Sequence, residues 1–92
     1  MTLVQLRQFI ALAKAGSFVK AADALHMTQP ALSRSIKALE EELGKQLFDR
    51  VGKRIELNSF GQEVLKRSHT LMEFAQQLKD CGRSLSALDS GR

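Results

Sequence analysis

The sequence predicts a mostly α fold: three short helices and a small β-hairpin, followed by one long helix. Three observations carry this. Residues 17–44 hold two amphipathic helical patterns joined by a turn too short to let them diverge. Residues 54–57 alternate apolar and polar, a period of two. From Val64 onward, large apolar residues recur every seven positions. The first two describe a winged helix-turn-helix, and the third a long helix with one apolar seam.

Leu3, Leu6, Phe9, Ile10 and Ala13 form the apolar face of a first helix, and Gly16 stands where a left-handed cap would stop it. Phe18, Ala21, Ala22 and Leu25 repeat at helical spacing in the second. Ser17 is its N-cap, and the paired alanines let a neighbouring helix approach closely. The reversal falls at His26-Met27, where His tolerates the positive φ usually left to Gly. Thr28 then caps the third helix, and Pro30 lies in its first turn, where a missing N–H costs nothing.

That third helix buries Leu32, Ile36, Leu39 and Leu43. Gln29, Pro30, Ser33, Arg34, Lys37 and Glu41 lie opposite. Gln can pair bidentately with adenine, Arg with guanine and Ser with several bases, while the edge of Pro can meet a thymine methyl. Glu40, Glu41 and Glu42 gather at the far end, where phosphate would repel them. The N-terminal half is therefore the half suited to a groove, with the acidic end pointing away.

After Gly44 come Leu47 and Phe48, a polar reversal through Val51, Gly52 and Lys53, and then Ile55 and Leu57 alternating with Arg54 and Glu56. This hairpin is the wing. Arg50, Lys53 and Arg54 crowd its tip, suited to phosphates or to the negative potential of a narrow minor groove; Asp49 and Glu56 offset part of that charge. A solvated hairpin tip would carry the same charges.

A long helix starts at Asn58 or Ser59 and continues to about Leu88; Ser59-Phe60-Gly61-Gln62 has the spacing of a capping box. Val64, Leu71, Leu78 and Leu85 recur every seven residues, with Ser68, Ala75 and Gly82 between them. Such a seam is too long for a compact head to bury. It predicts a homodimer whose interface includes Val64, Leu71, Ala75, Leu78, Gly82 and Leu85; folding back over the chain's own head is the alternative.

The chain has 92 residues, a formal charge of +4 and a pI near 9.6, which favours a polyanionic partner. An anionic membrane surface would satisfy the charge too, but no apolar run approaches the roughly 20 residues that span a bilayer. The N-terminus lacks a basic-then-apolar leader. Cys81 is alone, which rules out an intrachain disulfide and fits a cytoplasmic location. His26, His69 and Cys81 do not make a catalytic or metal-binding constellation, so neither an enzyme nor a metal site is expected. A protein-interaction module or an amphipathic membrane helix would account for residues 59–88 but not for the outward face of residues 29–37.

The run AADALHMTQPALSRSIKALEEELGKQLFDRVGKRIELNSFG resembles the DNA-binding domain of bacterial LysR-type transcriptional regulators. The matching residues are Ala21 and Ala22, Thr28, Gln29 and Pro30, Ser33, Leu39 and Glu40, Leu43 and Gly44, Leu47, Phe48 and Arg50, then Leu57 and Gly61. The sequence departs from the family pattern at Asn58 for Thr, Phe60 for Ala and Lys53 for Arg. Asn caps a helix as well as Thr, Lys keeps the charge, and Phe60 changes the local packing.

The resemblance implies double-stranded DNA as partner, with Gln29, Pro30, Ser33 and Arg34 at bases and Thr28, Lys37, Arg50, Lys53 and Arg54 at the backbone or wing. It implies a head over residues 1–58 and a linker helix over 59–92 that pairs antiparallel with its mate, with higher oligomers in a whole regulator. It also implies that the chain is a fragment without cofactor, any small-molecule effector being bound by a larger domain beyond it.

Overall fold

Side-chain caps supplied by the sequence start the first three helices of the computed structural model, which describes the backbone of residues 1–90 and the side chains of residues 1–84. Helix α1, Leu3–Ala15, opens on a Thr2–Gln5 capping box: the Gln5 N–H donates to Thr2 Oγ1 at 3.1 Å, and the Thr2 N–H donates to Gln5 Oε1 at 3.0 Å. It closes on Gly16, whose φ of 67° only glycine adopts readily. Helix α2, Phe18–Ala24, starts from Ser17 and ends in the predicted reversal, with His26 at φ 56°. Helix α3, Gln29–Leu43, has Thr28 as its N-cap, accepting from the Ala31 N–H at 3.2 Å, with Pro30 in the first turn.

Strands β1, Phe48–Val51, and β2, Arg54–Leu57, pair antiparallel in the register Phe48↔Leu57, Asp49↔Glu56, Arg50↔Ile55, Val51↔Arg54. Gly52, at φ 63°, is the first turn residue, and Lys53 keeps a negative φ, the arrangement of a type II′ hairpin. The Ile55 N–H donates to Gly16 O at 3.1 Å, fastening the hairpin to the α1–α2 corner. Helix α4, Ser59–Ser90, follows.

The core is built where α1, α2 and α3 cross. Leu6, Phe9 and Leu12 meet Ala21 and Ala22 of α2 and Leu32, Ile36 and Leu39 of α3, and Leu47 and Ile55 close it from below. The Phe9 and Phe48 rings meet edge to face, with centroids 5.6 Å apart. Leu3, expected on the buried face of α1, is instead exposed, because that face centres on Phe9: at about 100° per residue Leu12 lies roughly 60° from it and is buried, whereas Leu3 lies roughly 120° away.

The start of α4 also differs from expectation. The cap is Asn58, not a Ser59 box: Asn58 Oδ1 accepts from the Gly61 N–H at 2.7 Å, and Asn58 O from the Gln62 N–H at 2.9 Å. Its Nδ2 simultaneously donates to Gln46 O at 2.8 Å, so one side chain starts a helix and holds the preceding loop. Asn58→Ala should therefore lower stability by about 1–2 kcal/mol, at the upper end for a cap, as read by denaturant midpoint. Phe60, where the family pattern has Ala, is half-buried against the core and carries the Lys45 ammonium 5.3 Å from its ring centre.

Candidate nucleic-acid interface

One face of α3 projects away from the core. Leu32, Ile36 and Leu39 are buried, which turns Gln29, Pro30, Ser33, Arg34 and Lys37 outward, all exposed. Thr28 is exposed as well, beside the unpaired N–H groups of the first helical turn. Glu41 and Glu42 lie at the opposite end as expected, Glu42 accepting from the Met1 ammonium at 2.6 Å. Glu40 departs from that picture. It is half-buried, and its Oε2 accepts from the Leu47 N–H at 2.7 Å.

The hairpin distributes its cations by register. Residues opposite each other across the ladder share a face, so Arg50 stands with Ile55, Phe48 and Leu57 on the inner side. Asp49 and Glu56 share the outer face with Val51 and Arg54. The Arg54 guanidinium lies along the α1–α2 corner, its Nη2 3.5 Å from where a side chain on Gly16 would begin. Lys53 occupies the tip. Among the described residues, ion pairs join Met1 to Glu42, Arg67 to Glu63 and Arg83 to Asp80, and leave Arg34, Lys37, Arg50, Lys53 and Arg54 uncommitted.

Between α3 and β1 runs an open groove of about 480 Å³. Ser33, Ile36, Lys37 and Glu40 form the helix wall; Phe48, Asp49 and Arg50 form the wing wall. Lys37 and Arg50 put a cation on each wall, and Glu40 and Asp49 a carboxylate on each, with the exposed hydrogen-bonding ridge of α3 alongside.

The long helix divides into two parts. Phe60, Val64 and Leu65 pack on the core, and Ser68 is 1% exposed. Val64, expected in a seam between two chains, instead faces its own head, because the first turns of α4 cross α1 and complete the core. Beyond that point Leu71, Phe74 and Leu78 are 44%, 62% and 75% exposed. Ala75 is half-buried, and a side chain added at Gly82 would meet nothing within 4 Å. Leu85 lies outside the described side chains. Phe74 escaped the sequence reading, which followed the seven-residue repeat; its place three residues after Leu71 puts it on the same face.

His26 serves the turn, while His69 and Cys81 are exposed on α4. Among the described residues, no group of three or more His, Cys, Asp or Glu could hold a metal, and no helix is long and apolar enough to cross a membrane.

Comparison with known proteins agrees with this geometry. The chain is 39% identical over 92 residues to an uncharacterized HTH-type transcriptional regulator of Azotobacter vinelandii, matching 100% of this chain and 64% of that protein. It is 44% identical over 89 residues to the SDS degradation transcriptional activation protein of a Pseudomonas strain, matching 97% of this chain and 29% of the relative. The chain thus spans less than two thirds of either. Among solved structures, the CbnR DNA-binding domain in complex with DNA superposes with a TM-score of 0.88 at 37% identity, covering 94% of this chain and 99% of that one. The BenM DNA-binding domain on catB site 1 DNA gives 0.89 at 36% identity, covering 95% and 94%. Residues 3–62 match the family described as bacterial regulatory helix-turn-helix protein, lysR family, and the chain belongs to that family.

Proposed function

We propose that the chain binds double-stranded DNA sequence-specifically as the head and linker helix of a transcriptional regulator. The observation that carries this reading is the outward ridge Gln29, Pro30, Ser33, Arg34 and Lys37, flanked across one groove by Arg50 and the wing. The start of α3 enters a major groove, where Gln29, Pro30, Ser33 and Arg34 meet base edges. Thr28 and Lys37 hold phosphates at the ends of that contact. Arg50 faces the strand running through the α3–wing groove, Lys53 reaches the backbone or minor groove from the tip, and Arg54 supports it from the corner. Relatives named as transcriptional regulators and neighbours solved on DNA support this reading.

The exposed ridge of α4 joins two such heads. The interface comprises Leu71, Phe74, Ala75 and Leu78, with Gly82 allowing close backbone approach. Fully burying each large apolar side chain contributes roughly 1.5–3 kcal/mol, and contributions from both protomers can exceed an association cost of about 4–15 kcal/mol. The head over residues 1–58 thus acts in pairs carried on α4, Ser59–Ser90. Neither a cofactor nor catalysis is part of this role, and the binding takes place in the cytoplasm, where the DNA is.

Substitution separates base reading from backbone holding. Arg34→Ala should cost about 1–3 kcal/mol on a duplex selected from a random pool and much less on a scrambled one. Lys53→Ala should weaken both equally and reduce the slope of log affinity against log salt by about one unit. Identical behaviour of the two variants on matched and scrambled duplexes would remove the assignment of roles.

A further inference from the structure

We infer that Glu40 is a positioning residue: its bond to the Leu47 N–H fixes the wing relative to α3, and so sets how sharply helix and wing together discriminate among duplexes. The inference rests on the DNA-binding reading above. Between the polar ridge of α3 and strand β1 there is an open groove of about 480 Å³ rather than packed side chains. The hairpin's other ties, Phe48 against Phe9, Ile55 in the core and the Ile55 N–H to Gly16 O, run to α1 and the α1–α2 corner and not to the ridge of α3. Something further holds the wing directly to α3.

The segment entering β1 shows what does. Its Gln46 carbonyl accepts from Asn58 Nδ2 at 2.8 Å and its Leu47 carbonyl from the Asn58 N–H at 3.0 Å, both ties to the start of α4. The Leu47 N–H alone turns the other way, to Glu40 Oε2 at 2.7 Å. Among the described residues, this is the side-chain hydrogen bond that links α3 to the segment entering the wing. At that length the bond is short, and it demands a side chain long enough to bring an acceptor oxygen to the Leu47 N–H. Glu40 stands one turn beyond Lys37, and Leu47 immediately precedes β1 and its Arg50. A shift at this joint therefore moves Arg50 relative to Ser33 and Arg34 without disturbing either element internally. The carboxylate's charge would itself repel phosphate in the groove, so its reach, and not its charge, is what serves binding.

Three variants separate reach from charge. Glu40→Gln keeps the length and an acceptor oxygen while removing the charge. Glu40→Asp keeps the charge but falls one methylene short. Glu40→Ala loses both. Residual dipolar couplings of the full chain report hairpin orientation relative to α3 without DNA. Affinities for a pool-selected and a scrambled duplex report the consequence.

Wild type and Glu40→Gln should share one hairpin orientation and one selected-to-scrambled ratio. Glu40→Asp and Glu40→Ala should lose the common orientation, and the ratio should fall about tenfold, the net size of one hydrogen bond. Unaltered orientation and ratio in Glu40→Asp, or Glu40→Gln falling with it, overturns the inference. If Glu40→Ala does not fold, Glu40→Asp decides. A wild-type chain that prefers no selected duplex defeats the DNA-binding reading instead, while the couplings still judge the clamp.

Discussion

Gly61→Ala is expected to lower stability by about 3 kcal/mol and the melting temperature by roughly 15 °C. A methyl group there would sit 2.1 Å from the Leu47 carbonyl oxygen and 2.8 Å from Leu57 Cδ2. The Leu57 side chain could turn aside. The Leu47 carbonyl cannot, because it accepts from the Asn58 N–H at 3.0 Å and Leu47 itself is wholly buried. Alanine's helix preference over glycine, at most about 1 kcal/mol, is too small to offset that clash. Gly82 supplies the control: an added methyl meets nothing within 4 Å, so Gly82→Ala should stabilise an isolated α4. A Gly61→Ala melting temperature at or above wild type would mean that α4 does not dock on Leu47 as described.

Replacing Leu71 and Leu78 together with Lys should convert the proposed dimer to a folded monomer. It should also weaken binding to a two-half-site duplex by about a hundredfold or more. Leu78 is 75% exposed and Leu71 44%, so neither change empties the core. Each substitution acts twice across a symmetric interface and removes contributions of roughly 1.5–3 kcal/mol per buried side chain. Affinity for a single half-site should stay near wild type, because the head is untouched. Sedimentation across the micromolar range checks the state, and the paired titrations check the consequence. A wild-type monomer whose binding the double substitution leaves unchanged would remove the dimer. In the same scheme, inserting half a helical turn between half-sites rotates one head off its face and should abolish tight binding.

The two variants draw on different kinds of information. Leu71 and Leu78 are visible in the sequence as a repeat of seven. The danger of a methyl at Gly61 is not, since it depends on a carbonyl fourteen residues earlier. The same divide runs through the chain. Ser17, Thr28 and Gly16 announce helix boundaries because capping is settled within a few residues. His26 could be assigned its positive φ on the same local ground. The Ser59 box failed because Asn58 competes for the same donors and also reaches Gln46 O, a contact that no local pattern contains. Periodicity likewise placed Val64 in the seam, since a repeat records which residues share a face and not what covers it.

Sequence alone determined the helices, the wing, the outward ridge of α3 and the apolar line of α4, because each depends on spacing and on chemistry within a few residues. Tertiary structure decided where α4 stops serving its own head, which side of the hairpin Arg50 takes, and that Glu40 turns inward to Leu47. Those outcomes depend on which surfaces meet after the chain folds back on itself, and residues far apart in sequence carry no mark of having met.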